Sequence, residues 1–109
     1  DGGGLTCDLA FFKGPFGERG SIAGITTENF TVGNVFHAAI EAMVANYARC
    51  IDRIWPTRDF NRIALTGGLT HALPRLREQI ADRLSPNLRE PTAGEETLLG
   101  LLKVARKVL

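Results

Sequence analysis

Residues 62–84, RIALTGGLTHALPRLREQIADRL, decide how the rest of the chain is read. The short run Arg62-Ile63-Ala64-Leu65-Thr66 predicts a buried strand that ends at Gly67-Gly68. Leu73, Leu76, Ile80 and Leu84 then mark the inner face of a helix, with Pro74 tolerated in its first turn. A strand that stops at two glycines and enters a helix brings bare main chain to the carboxyl end of a sheet. Ligands settle in that crevice in open α/β folds. Glycine has no Cβ, so a planar base or a phosphate can approach the backbone closely. Thr70 and His71 would stand at the helix entrance, beside unpaired backbone N–H groups. Spacing alone leaves two readings open, a nucleotide site and an ordinary tight turn.

Upstream lies the clearest element. Val32, Val35, Phe36, Ala39, Ile40, Met43, Val44, Tyr47, Ala48 and Ile51 recur at helical spacing. Thr31 is the expected N-cap, and Pro56 stops the helix soon after Ile54. Before it, residues 9–12 (LAFF) and 22–25 (IAGI) predict two short strands around a glycine loop, residues 13–20 (KGPFGERG). Downstream, Pro86 and Pro91 bracket a short strand at residues 87–90. A last helix is expected from about Ala93 to the end, with Glu95 and Glu96 at its start. Lys103, Arg106 and Lys107 near its close complement the helix dipole. Its apolar face is Leu98, Leu101, Leu102, Ala105 and Leu109. The order is ββαβαβα, an α/β layer with three helices on one mixed sheet.

Composition narrows the function. The 109 residues carry 13 Lys+Arg against 12 Asp+Glu, a net charge of +1, which argues against an electrostatic nucleic-acid binder. The 44% hydrophobic and 23% charged fractions are those of a folded domain. No apolar run approaches a membrane span, and DGGGLTCDL lacks a signal-peptide pattern, so no membrane partner and a cytoplasmic setting are expected. Cys7 and Cys50 have no metal-binding spacing and read as reduced thiols.

Other candidates are thinner. His71 has no acidic partner nearby in sequence. His37 precedes Glu41 by one turn and reads as a surface pair. Ser21 and Cys50 have little behind them as nucleophiles. Gly17, Glu18 and Arg19 in the glycine loop could meet a phosphate or a sugar, or simply be solvated. Asp1-Gly2-Gly3-Gly4 is similar to the opening of the phosphate loop in N-acetylglucosamine-kinase-like proteins. Leu5, however, stands where those proteins usually have Thr.

A wider likeness runs from about Gly4 to Ala105. Arg19, Gly20, Ile22, Gly24, Ile25, Asn29, Phe30 and Thr31 lie in RGSIAGITTENFT, followed by a helix with Ala39, Ala42, Met43 and Val44. IALTGG at 63–68, QIAD at 79–82 and the glycine-bearing helix around Gly100 come in the same order. This series resembles the C-terminal domain of FGGY carbohydrate kinases, nearest to the sedoheptulokinase-like branch.

The resemblance implies an actin-like, ribonuclease-H-like lobe of a two-lobe enzyme that moves the γ-phosphate of ATP to a sugar hydroxyl. Gly67 and Gly68 would approach the nucleotide, with Leu69, Thr70, His71 and Ala72 along the adenine side. Ala72 departs from the polar residue many relatives have there, and Phe16 stands where an arginine is expected. Gly100 would be a close-packing position, although Leu101 and Leu102 replace small residues beside it. The first phosphate loop, the sugar-binding residues and the catalytic aspartate belong to the N-terminal lobe or its junction, so this chain is expected to carry no catalytic and no metal-binding residue. Mg²⁺ would come with the nucleotide and the other lobe. Alone, the chain is expected to be inactive. A non-catalytic binding or dimerisation module on the same layer is the reading from another class, and a homo-oligomer is open.

Overall fold

The computed structural model describes residues 2–84, 87–89 and 96–108. The chain divides into two compact units, Asp1–Arg58 and Asp59–Leu109. The first begins with an antiparallel pair, β1 (Thr6–Asp8) and β2 (Ser21–Ala23), in which Cys7 lies opposite Ile22. The expected first strand, at residues 9–12, is displaced. Asp8 Oδ1 accepts the backbone N–H of Ala10 at 3.0 Å, and Phe11 N–H bonds the carbonyl of Leu9 at 2.8 Å. These tight turns end pairing where sequence alone would start it, and they leave Phe11 and Phe12 exposed. β2 stops at Gly24, whose φ of 76° suits glycine.

Helix α1 (Val32–Ile54) follows as expected. Thr31 Oγ1 accepts the N–H of Asn34 at 3.2 Å, and Trp55 closes the far end ahead of Pro56. Its buried face keeps Ile40 and Val44 of the expected stripe and adds Ala38, but leaves out several of the large residues. Ala38, Ile40 and Val44 are buried, whereas Val32, Phe36 and Tyr47 are exposed. Ala42, Ala45, Asn46 and Arg49 line a recess with Cys7, Asp8 and Leu9. The hairpin thus meets a side of the helix rich in alanine, where small side chains permit close approach.

A knot around Asn29 ties the opening residues to the helix start. Asn29 is buried at 9% exposure and uses its whole carboxamide. Its Nδ2 donates to the carbonyls of Gly3 and Gly24, both at 2.8 Å, and its Oδ1 accepts Thr26 N–H at 2.7 Å. Asn34 Nδ2 donates back to the Asn29 carbonyl at 2.8 Å.

Just past α1, Arg58 adopts φ 49° and its guanidinium meets Asp52 at 2.6 Å. The bond to Arg58 holds the Asp52 carboxyl below its ordinary value. A lowered folded value means stability that is present above the ordinary aspartate value, about 4, and lost as pH falls through the lowered one. Both groups meet solvent, so the contribution is small. An NMR titration should place the Asp52 midpoint below that of an ordinary aspartate, and Arg58→Gln should return it. An unmoved midpoint in the variant would contradict the pairing.

The second unit pairs β3 (Ile63–Ala64) with β4 (Leu88–Arg89) in parallel. Among the described residues the strands therefore form two separate two-stranded sheets, not the expected single mixed sheet. Among the described residues there are also four helices, one more than expected. α2 (Gly68–Ala72) and α3 (Pro74–Arg83) are separated at Leu73, with φ −117° and ψ 89°. The ring of Pro74 disfavours helical geometry in the residue before it, so the chain starts its helix afresh. Leu65, Leu76 and Ile80 are buried here, and Leu73 and Leu84 half-buried.

Helix α4 (Glu96–Val108) matches the expected last helix, whose proposed start at Ala93 and Glu95 and whose end at Leu109 lie outside the described residues, as do Pro86, Glu90 and Pro91. Leu98, Leu101, Leu102 and Ala105 are exposed, so the expected packing of this face on the sheet is not seen. A Cβ added at Gly100 would meet nothing within 4 Å, which corrects its reading as a close-packing position. Among the described residues no helix is long and apolar enough to cross a membrane.

Candidate functional site

The glycine turn keeps the strand–glycine–helix order that the sequence suggests. β3 leads through Leu65 and Thr66 to Gly67, the N-cap of α2, at φ 93° and ψ 155°. This backbone region is open essentially to glycine alone. A Cβ built on either Gly67 or Gly68 would meet nothing within 4 Å. The main chain is therefore bare and the space over it is open, as close approach by a ligand requires.

The side chains of the turn divide by role. Leu69 is 48% exposed and Ala72 is exposed, and at i and i+3 they are neighbours on one side of α2. Thr70 is buried, and its hydroxyl lies 3.0 Å from the Thr66 carbonyl and 2.9 Å from that of Gly67. It braces the turn from within and does not present its oxygen to a ligand. This changes the expected role of Thr70 from a lining residue to a positioning one. His71 is half-buried and makes an interaction of its own.

The glycine loop belongs to the other unit. Gly14 and Gly17 bond each other's carbonyls at 3.0 and 3.3 Å, closing the tip, and Gly17 has φ 134°. Gly17, Glu18 and Arg19 are exposed. Phe16 carries the Arg49 guanidinium 4.1 Å from its ring centroid, which fastens the loop to α1. Phe16, where the resemblance implies an arginine, is instead an aromatic platform for one.

Gly2 and Gly3 are packed against side chains, whereas a Cβ on Gly4 would meet nothing within 4 Å. A Cβ on Gly3 would press on Asn34 Nδ2 at 2.9 Å and Asn29 Cβ at 3.1 Å, and one on Gly2 would meet the His37 ring at 3.2 Å. These glycines make room for the Asn29 knot. Asp1 lies outside the described residues. His37 pairs with Glu41 at 3.2 Å, as its spacing suggests. Cys7 and Cys50 are free thiols, both half-buried. Among the described residues no group of three or more His, Cys, Asp or Glu could hold a metal ion.

Sequence reasoning missed Asn29 as a structural centre. The signal was present in Thr26-Thr27-Glu28-Asn29, a hydroxyl and a carboxamide spaced for local turns. Thr26 Oγ1 does accept the N–H groups of Glu28 and Asn29, at 3.3 and 3.1 Å.

No protein-family model, no curated protein and no solved structure matches the chain.

Proposed function

We propose that this chain is the nucleotide-binding lobe of an ATP-dependent carbohydrate kinase of the FGGY type, with an actin-like fold completed by a second lobe. The observation that carries the reading is the bare, open main chain at Gly67-Gly68, set where a strand of a parallel pair runs into a helix. The ordered series from Arg19 to Gly100 supports the same family. The full enzyme would transfer the γ-phosphoryl group of ATP to a sugar hydroxyl. That reaction needs a positioned base and Mg²⁺-held phosphates together. The base belongs to the other lobe, and the metal arrives with the nucleotide. The chain alone binds ATP weakly, turns nothing over, and works in the cytoplasm.

Gly68→Ala tests the site cleanly. Its φ lies outside the left-handed region and its Cβ would touch nothing, so the fold should be unharmed. Shortening the disorder of the unfolded chain should even stabilise it by about 0.4–1 kcal/mol. The methyl would occupy the space over the turn, and affinity for Mg-ATP by calorimetry should fall by roughly tenfold or more. Unchanged affinity in a folded variant would refute the site.

A second reading, an association module, is favoured by the exposed leucines of α4. It would need a salt-independent dimer in sedimentation. The packed Gly2 and Gly3 speak against a third, in which residues 1–4 form the phosphate loop.

A further inference from the structure

We propose that the recess between the end of β1 and α1 binds a small zwitterion, a free α-amino acid. The proposal is independent of the nucleotide reading, because the recess lies wholly within the first unit. Ala42, Ala45, Asn46 and Arg49 stand at i, i+3, i+4 and i+7 and so share one face of α1. Asp8 and Leu9 bound the recess from the hairpin side. Its volume is about 250 Å³, below the roughly 300–1,000 Å³ of drug-sized sites, so it suits a ligand of a few carbons.

The polar groups around this space are unspent. Asn46 is half-buried, and its carboxamide has no hydrogen-bond partner among the described residues. The Arg49 guanidinium lies over the Phe16 ring, and no carboxylate among the described residues takes its N–H donors. Asp8 Oδ1 accepts the Ala10 N–H, which leaves Oδ2 available. Asp8 and Arg49 do not pair with each other, so one recess keeps an anion and a cation apart. A guanidinium edge takes a carboxylate through two parallel bonds, and a carboxylate accepts from an ammonium. A free amino acid carries both partners on one carbon. Its side chain would rest on Leu9, Ala42 and Ala45, and the Asn46 carboxamide can donate to one charged group and accept from the other. A simple anion would meet repulsion from Asp8, a simple cation repulsion from Arg49, and a neutral polyol would match neither charge.

The experiment titrates the chain with L-alanine, propionate, isopropylammonium and glycerol and follows the amide signals of residues 7–9 and 42–49. L-alanine should bind at millimolar concentration, at least about tenfold tighter than propionate or isopropylammonium, since each of those lacks one charge-assisted bond. Glycerol should shift nothing. Asp8→Asn keeps an oxygen for the Ala10 N–H and removes only the charge, and Asp8 is exposed, so this variant should fold. It should lower L-alanine affinity by about tenfold without weakening propionate. No response to L-alanine would overturn the proposal, as would propionate or glycerol binding as tightly as L-alanine. An equal loss of L-alanine and propionate in Asp8→Asn would also overturn it. None of these outcomes bears on the glycine turn, which Mg-ATP tests separately.

Discussion

Gly24→Ala should unfold the hairpin end of the first unit. At φ 76° an alanine is strained, and its methyl would stand 2.6 Å from the carbonyl oxygen of Gly4. That neighbour is main chain and cannot rotate away. Strain and collision together should cost about 3 kcal/mol or more. Relief requires Gly4 or Gly24 to move, and Asn29 Nδ2 bonds the carbonyls of both Gly24 and Gly3. The damage therefore spreads to the knot. Amide exchange should accelerate at residues 3–5 and 22–29, with a lower urea midpoint by Trp55 fluorescence. A variant with unchanged midpoint would show that the glycine is not needed there.

The second large effect is expected in the other unit. Leu76 is fully buried at 0% exposure and shares its core with Leu65 and Ile80. Leu76→Ala removes buried methyl groups and leaves a cavity, costing about 2–5 kcal/mol. So small a core has little to spare, and cooperative unfolding of this unit should be lost. Leu76→Met keeps the volume and should cost less than about 1.5 kcal/mol. Circular dichroism melts of the two variants check this. Equal melts would mean that position 76 is not the packing centre. Since α2 and α3 pack together, the alanine variant should also lose nucleotide binding without touching the turn.

Much of this was legible in the residues, for identifiable reasons. α1 showed itself by period, by the Thr31 cap and by Pro56, all local signals that tertiary context did not override. The turn at Gly67-Gly68 was legible because two adjacent glycines have few other uses at a strand end. The limits were equally local. Asp8 bends the chain with its own side chain, so the apolar run after it could not continue the strand. Pro74 was seen as a helix starter, but its effect on Leu73, which sets α2 apart, was not. The burial of Ala38 was hidden because alanine contributes little to an apolar stripe. The joining of four strands into one sheet was an inference from alternation, and short strands of two and three residues give it no local support. Thr70 was rightly placed at the turn, but which way its hydroxyl points depends on the carbonyls of Thr66 and Gly67.

The proposed nucleotide site is the glycine turn. The most direct measurement is a map of backbone amide shifts as Mg-ATP is added to the 109-residue chain. The account predicts shifts centred on Gly67, Gly68, Leu69 and Ala72, and diminished in Gly68→Ala. Shifts centred instead on residues 2–4 or 13–20, or none at millimolar ATP, would contradict it.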